Sequence, residues 1–186
     1  PALAYIHKQN IIHRDLKPAN IMVQPATNGE TAKLLDLGIA KMLHSDSESM
    51  LAKTLTRKGS VVGTLQYLAP EQCLGSNIDQ RTDLYALGTI VYELIAGDLP
   101  FYADSLNGWL VAHLQENPTP LRDLNPTITK EVEAVVHKTL EKRPSNRPSS
   151  VMEFLDSFEL AARNCGQDFW QQGAYDGKPT LYIKED

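Results

Sequence analysis

Apolar positions change their spacing along the chain, and the change divides it into a broken first third and a helical remainder. Leu3 and Ile6 read as the end of a helix. Ile11-Ile12, Ile21-Met22-Val23 and Lys33-Leu34-Leu35 are short apolar pieces separated by a polar loop and the Asn28-Gly29 turn, and they read as small strands. From Leu43 to Ser60 the chain turns polar, with Ser45, Ser47, Ser49, Thr54, Thr56 and Ser60, and reads as a mobile loop. Further on, Leu84, Leu87, Ile90, Val91, Leu94 and Ile95 recur at helical spacing among other apolar residues, the pattern of a helix buried on all sides. Gly97 and Pro100 end it. Ile128, Val132, Val135, Val136, Thr139 and Leu140 mark an amphipathic helix. Ser150-x-x-Glu153 has the form of a capping box opening another, with Met152, Leu155 and Phe158 inward. A weaker helix covers Ser105 to Gln115. The tail from Asn164 has no period, and its Phe169, Trp170, Tyr175 and Tyr182 read as a packing patch.

Composition narrows the class. With 186 residues, 42% hydrophobic and 22% charged, the chain has the balance of one soluble globular domain, or of part of a larger one. Eighteen Lys and Arg against 23 Asp and Glu give a formal charge of -5, which removes the electrostatic footprint of a nucleic-acid binder. Two cysteines, Cys73 and Cys165, are too few for a disulfide scaffold and point to a reducing compartment. The longest apolar run, Leu84 to Ala96, is broken by Gly88, Thr89 and Glu93 and falls short of the roughly 20 residues that cross a bilayer. The opening Pro-Ala-Leu-Ala-Tyr carries no signal-like stretch, so an interior piece of a longer protein is expected.

The chemistry concentrates in His13-Arg14-Asp15-Leu16-Lys17-Pro18-Ala19-Asn20. A short loop here holds a carboxylate, an ammonium two residues on and an amide five residues on. Phosphoryl transfer needs such an assortment: an acceptor for the attacking hydroxyl, a cation for the transferred phosphate and an oxygen ligand for Mg²⁺. Asp36, beside Leu37-Gly38, adds a second carboxylate at a strand end. Asp36 and Asn20 offer hard oxygen donors, not the soft ligands that zinc prefers. His7, His13, His44, His113 and His137 have no metal-ligand spacing, and Cys73 reads as a small buried residue.

These residues resemble the protein kinase family. The loop fits the catalytic-loop pattern H-R-D-L-x-x-x-N at every defined position. Asp36-Leu37-Gly38 resembles the metal-binding D-F-G with Leu in place of Phe, and Ala69-Pro70-Glu71 resembles A-P-E. Gly63-Thr64 precedes it as in the family's substrate-binding loop, Asp83-Leu84-Tyr85-Ala86-Leu87-Gly88 is similar to the start of its buried central helix, and Arg147-Pro148 to its late arginine. The stretch Leu65 to Gln72 looks most like the bacterial-type Ser/Thr kinases. The implied fold is α+β, mainly α: a kinase large (C-terminal) lobe at 1–162, with a few short strands around the catalytic loop at 13–20, an activation segment at 36–71, and a tail of unknown structure at 163–186.

The resemblance also implies roles. Asp15 would accept the proton of a substrate hydroxyl, and Lys17 would neutralise the γ-phosphate and mark Ser/Thr specificity. Asn20 and Asp36 would hold Mg²⁺, or Mn²⁺ in its place, and Met22 would lie under the adenine of ATP. Thr64 would hydrogen-bond Asp15 and Lys17. His13 and Leu37 would pack in the column that joins the lobes, and Asp83 would tie that column to the central helix through backbone N–H groups. Glu71 and Arg147 would form a buried ion pair. Arg14 and Lys41 would face a phosphate on Thr54, Thr56 or Ser60, so activation would follow phosphorylation of the segment. Ala19 lacks the acid that some arginine-directed kinases carry there.

No G-x-G-x-x-G occurs among the eleven glycines, and no strand lysine in a V-A-I-K context is present. The small lobe is therefore expected to lie outside this chain, which alone would be inactive. The expected whole is a Ser/Thr protein kinase acting on protein hydroxyls, with no nucleic-acid partner. Its kinase domain would be cytoplasmic, with any membrane anchor outside this chain. A pseudokinase-like scaffold is the alternative. A small-molecule kinase is the other reading, and the Gly63–Glu71 peptide-binding segment argues against it.

Overall fold

The computed structural model describes residues 2–26, 29–36, 65–163 and 165. Helix α1 (Ala2–Lys8) leads through an irregular loop and a 3₁₀ turn at Pro18–Asn20 into strands β1 (Ile21–Ala26) and β2 (Gly29–Leu34). The strands form an antiparallel ladder with Ile21 opposite Leu34 and Ala26 opposite Gly29. Gly29 sits at φ +116, where a side chain is disfavoured, and lets the chain reverse. Ile11-Ile12 is not a strand. The Ile11 N–H turns back to the Ile6 carbonyl at 3.0 Å, so the end of α1 consumes the amide that a ladder would use.

The remainder is helical: α2 (Pro70–Leu74), α3 (Gln80–Ala96), α4 (Leu106–Gln115), α5 (Leu121–Leu124), α6 (Lys130–Thr139) and α7 (Val151–Ala162), with a 3₁₀ turn at Pro144–Asn146. Local chemistry sets the ends. Asp79 caps α3 by accepting from the Arg81 N–H at 2.7 Å, and Gly97, at φ +73, closes it. Ser105 and Thr129 cap α4 and α6 in the same way. Ser150 accepts from the Glu153 N–H, while the Glu153 carboxylate reaches the Ser149 N–H, one residue earlier than a standard capping box places it. The short helices α2 and α5 have no apolar period to announce them. Pro70 starts α2 because a first-turn residue needs no donor, and Gly75, at φ +62, stops it.

Helix α3 is the axis of the core. Tyr85 and Tyr92 join Phe101, Trp109, Val132 and Val136 on one side. Leu84 and Ile90 join Leu3, Leu16, Val151 and Phe154 on the other. Each fully buried side chain of this size contributes about 1.5–3 kcal/mol. The burial is not complete, because Leu94 is 64% exposed near the C-terminal end of α3. Helix α7 turns Val151, Phe154, Ala161 and Ala162 inward and packs Leu155 and Phe158, partly buried, against the core as expected, whereas Met152, expected inward, is 46% exposed. Among the described residues no helix is long and apolar enough to cross a membrane.

Candidate active site

The loop between α1 and β1 is held from beneath by one buried carboxylate. Asp83 lies in the first turn of α3 and is 1% exposed. Its Oδ2 accepts from the His13 N–H at 2.8 Å, and its Oδ1 from the Arg14 N–H at 2.9 Å. His7 Nε2 lies 2.7 Å from Oδ2, and because an ionised carboxylate only accepts, this nitrogen carries the proton. Three donors thus compensate the burial of the charge. They also hold Arg14 at φ +64, a left-handed conformation that is costly for a residue with a side chain.

Asp15, Lys17 and Asn20 converge above this anchor. Lys17 Nζ is 3.4 Å from Asp15 Oδ2, and both side chains are partly exposed. Asn20 is buried and donates through Nδ2 to the Asp15 carbonyl at 2.7 Å and, more weakly, toward Asp15 Oδ2 at 3.4 Å. The amide nitrogen is thereby committed, which leaves the amide oxygen as the Asn20 side-chain atom suited to a cation. The Leu35 N–H donates to the Asn20 carbonyl at 2.8 Å, so the backbone brings Asp36 next to Asn20. Asp36 is exposed and sits at φ +48, a second strained position. An amide oxygen and a carboxylate fit Mg²⁺, which binds through one or two such groups together with water and substrate phosphates.

A second network ties α2 to the start of α3 and to the segment that follows α6. Arg147 pairs with Glu71 in a buried, bidentate ion pair, and Thr82 Oγ1 donates to Glu71 Oε1 at 2.7 Å. Arg147 also donates to the carbonyls of Arg81, Glu141 and Lys142 and lies over the Tyr85 ring. Burial alone would raise the Glu71 pKa, but the hydrogen bonds and charge of Arg147 overcome it and hold the carboxyl below its usual range. Beside it, burial pushes the Cys73 thiol up to about 12, as for an inert packing residue.

Of the residues singled out in the sequence, Asp15, Lys17 and Asn20 come together on the loop whose His13 and Arg14 amides Asp83 holds, and Glu71 meets Arg147. His13 is fully buried and its Nε2 faces the Leu35 carbonyl at 3.1 Å. Met22 is 43% exposed on β1, opposite Lys33. Arg14 is half-buried, with its Nε lacking a hydrogen-bond partner among the described residues. Leu37, Lys41, Thr54, Thr56, Ser60 and Thr64 lie outside the described residues. Sequence reasoning missed His7 and Gln72. His7 meets its partner 76 residues away, a separation that no local spacing signals.

The sequence profile of the protein kinase domain family matches residues 1–158. The chain is 44% identical over 156 residues to the serine/threonine-protein kinase pkn3 of Myxococcus xanthus, covering 82% of this chain and 28% of that protein. It is 40% identical over 161 residues to pkn2 of the same organism, covering 86% of this chain and 19% of the relative. Against the serine/threonine-protein kinase PknB of Mycolicibacterium smegmatis the identity is 40% over 152 residues, covering 82% and 23%. The chain spans about a quarter of the length of these curated relatives.

Proposed function

The chain belongs to the protein kinase family, and from that premise we propose that it carries the large-lobe part of a bacterial-type serine/threonine protein kinase. In this reading residues 1–162 supply one wall of the nucleotide site, and 163–186 form a tail. The whole protein transfers the γ-phosphate of ATP to Ser or Thr hydroxyls of protein substrates.

Asp15 accepts the substrate proton as the hydroxyl attacks, and Lys17 balances the charge of the transferring phosphate. Asn20 has its nitrogen on the Asp15 backbone, so it orients the base and offers its oxygen outward. Asn20 and Asp36 would hold the metal ion, and Met22 would meet the adenine. Bound there, Mg²⁺ would supply charge neutralisation between the phosphates. Regulation fits the same frame: Arg14 and Lys41 would receive a phosphate on Thr54, Thr56 or Ser60, and Thr64 would contact Asp15 and Lys17. The kinase domain is read as cytoplasmic.

The observation that carries this reading is the convergence of Asp15, Lys17 and Asn20 on a loop whose strained backbone is held by Asp83. A structural loop has no need of left-handed backbone and a buried carboxylate to present three polar side chains at the surface. The test is phosphoryl transfer from ATP to a general protein substrate with Mg²⁺, using the complete protein and identifying the phosphorylated residue type. Phosphoserine or phosphothreonine, abolished in Asp36→Ala, is expected. Metal binding and chemistry unaffected by Asp36→Ala would overturn the assignment of that residue.

A further inference from the structure

Gln72 follows the Ala69-Pro70-Glu71 motif and has no part in the roles described above. It is 4% exposed, and both ends of its amide are engaged. Oε1 accepts from the Ala69 N–H at 3.0 Å, and Nε2 donates to the Arg14 carbonyl at 2.8 Å. Its orientation is determined by its partners, because a flipped amide would set nitrogen against N–H and oxygen against C=O. The contact with Ala69 suffices to cap the start of α2. The contact with Arg14, 58 residues away, is not needed for capping.

Arg14 is the strained residue that immediately precedes Asp15. Its N–H is held by Asp83 of α3, and its carbonyl by Gln72 of α2. Its carbonyl belongs to the planar peptide unit that ends at the Asp15 Cα, so fixing that oxygen fixes the plane from which the Asp15 side chain departs. We propose that Gln72 is a positioning residue for Asp15, clamping the Arg14–Asp15 peptide and coupling it to the start of α2. This rests on Asp15 being the proton acceptor. Misplacing a reacting group by about an ångström costs on the order of 10²-fold in rate, so the clamp acts on kcat and leaves nucleotide affinity alone.

Gln72→Glu and Gln72→Met in the complete protein separate positioning from filling. While protonated, the carboxyl introduced by Gln72→Glu would donate to the Arg14 carbonyl and accept from the Ala69 N–H, reproducing the amide. Once ionised, it would set a carboxylate oxygen against that carbonyl. Burial and the Asp15 and Asp83 carboxylates that line the same small cavity raise the pKa of such a carboxyl, bringing the transition toward the working range. The adjacent Glu71 is already paired to Arg147, and among the described residues lining the cavity only the Arg14 cation opposes them. The expected result is a Gln72→Glu to wild-type kcat ratio that falls about 10- to 100-fold as pH rises, with KM for ATP unchanged. In Gln72→Met, kcat is lowered by a similar factor at every pH. A filling role would lower the melting temperature and leave kcat of the folded protein untouched. The proposal is overturned if both folded variants keep wild-type kcat, or if the Gln72→Glu ratio does not change with pH. A wild type without phosphoryl transfer would overturn the kinase reading itself, a separate outcome.

Discussion

Arg147 reaches Glu71 through two parallel hydrogen bonds, Nη1 to Oε1 at 2.7 Å and Nη2 to Oε2 at 2.9 Å, across 76 residues of sequence. Both side chains are almost wholly buried, so neither charge has water to fall back on. Removing either partner leaves the other buried and unpaired, at a cost of about 3–5 kcal/mol. Glu71→Ala and Arg147→Ala are each expected to lose that much in denaturant unfolding. The double variant should lose far less than the sum of the two, and additive losses would show that the pair is not coupled.

Stability falls with acid in two separate steps. Burial pushes the His113 imidazole down to about 4 from its ordinary 6.5, while its Nε2 faces the Leu65 carbonyl and Nδ1 the Tyr85 hydroxyl. Below 6.5 the unfolded chain binds a proton that the folded chain refuses, so stability declines as pH drops toward 4. At about 1.4 kcal/mol per pH unit the full effect is on the order of 3 kcal/mol. His137, lowered by burial in the same direction, adds to it. Glu71 acts further down: its folded pKa lies below the ordinary 4.5, so its contribution is present above that value and is lost as pH falls beneath it. Melting temperature against pH should show the first decline flattened in His113→Gln and the second in Glu71→Gln.

Gly88 lies where α3 packs closely against α6. A Cβ built there would lie 1.8 Å from Thr139 Oγ1 and 2.7 Å from Thr139 Cβ. Overpacking of this kind costs typically about 1–3 kcal/mol. Gly88→Ala is therefore expected to unfold at lower denaturant, although alanine is the better helix former, and a gain in stability would contradict the packing described.

Much of this was legible in the chain, because the long helices declare themselves through period and caps. Gly97, Ser105 and Ser150 act where their chemistry places them. The octapeptide 13–20 announced the site because its chemistry is local. Ile11-Ile12 misled because an apolar pair cannot reveal that its amide is already spent on α1. Met152 misled because the period of α7 fixes a stripe but not which edge of it meets the core. Two supports of the site were invisible for a different reason: the family resemblance pointed to Asp83, but His7 meets Asp83 across 76 residues and Gln72 meets Arg14 across 58, and only the fold brings them together.

Phosphorylation of the segment between Asp36 and Glu71 is expected on Thr54, Thr56 or Ser60, with Arg14 reading the added charge. Each charge-assisted hydrogen bond to such a phosphate contributes about 1.5–3 kcal/mol. Mass-spectrometric site mapping of the active protein should find phosphate there, and Arg14→Ala should blunt the accompanying activation. An Arg14→Ala protein activated as fully as the wild type would remove the mechanism.

Residues 1–186 by themselves contain no glycine-rich loop to cover the phosphates. Losing such charge-assisted contacts, at about 1.5–3 kcal/mol each, weakens ATP binding about tenfold or more per contact. Calorimetric titration of the purified chain with ATP and Mg²⁺ should give binding far weaker than micromolar. Micromolar affinity together with peptide phosphorylation would show that this wall of the site is sufficient.

The central claim is that Asp15 accepts the proton of a protein hydroxyl during phosphoryl transfer. Steady-state transfer from ATP by the complete protein and its Asp15→Ala variant tests it most directly, with melting curves to establish that both are folded. A positioned base is typically worth about 10²- to 10⁴-fold in rate, so kcat should fall by that factor while ATP still binds. Near-normal turnover in folded Asp15→Ala would contradict the account.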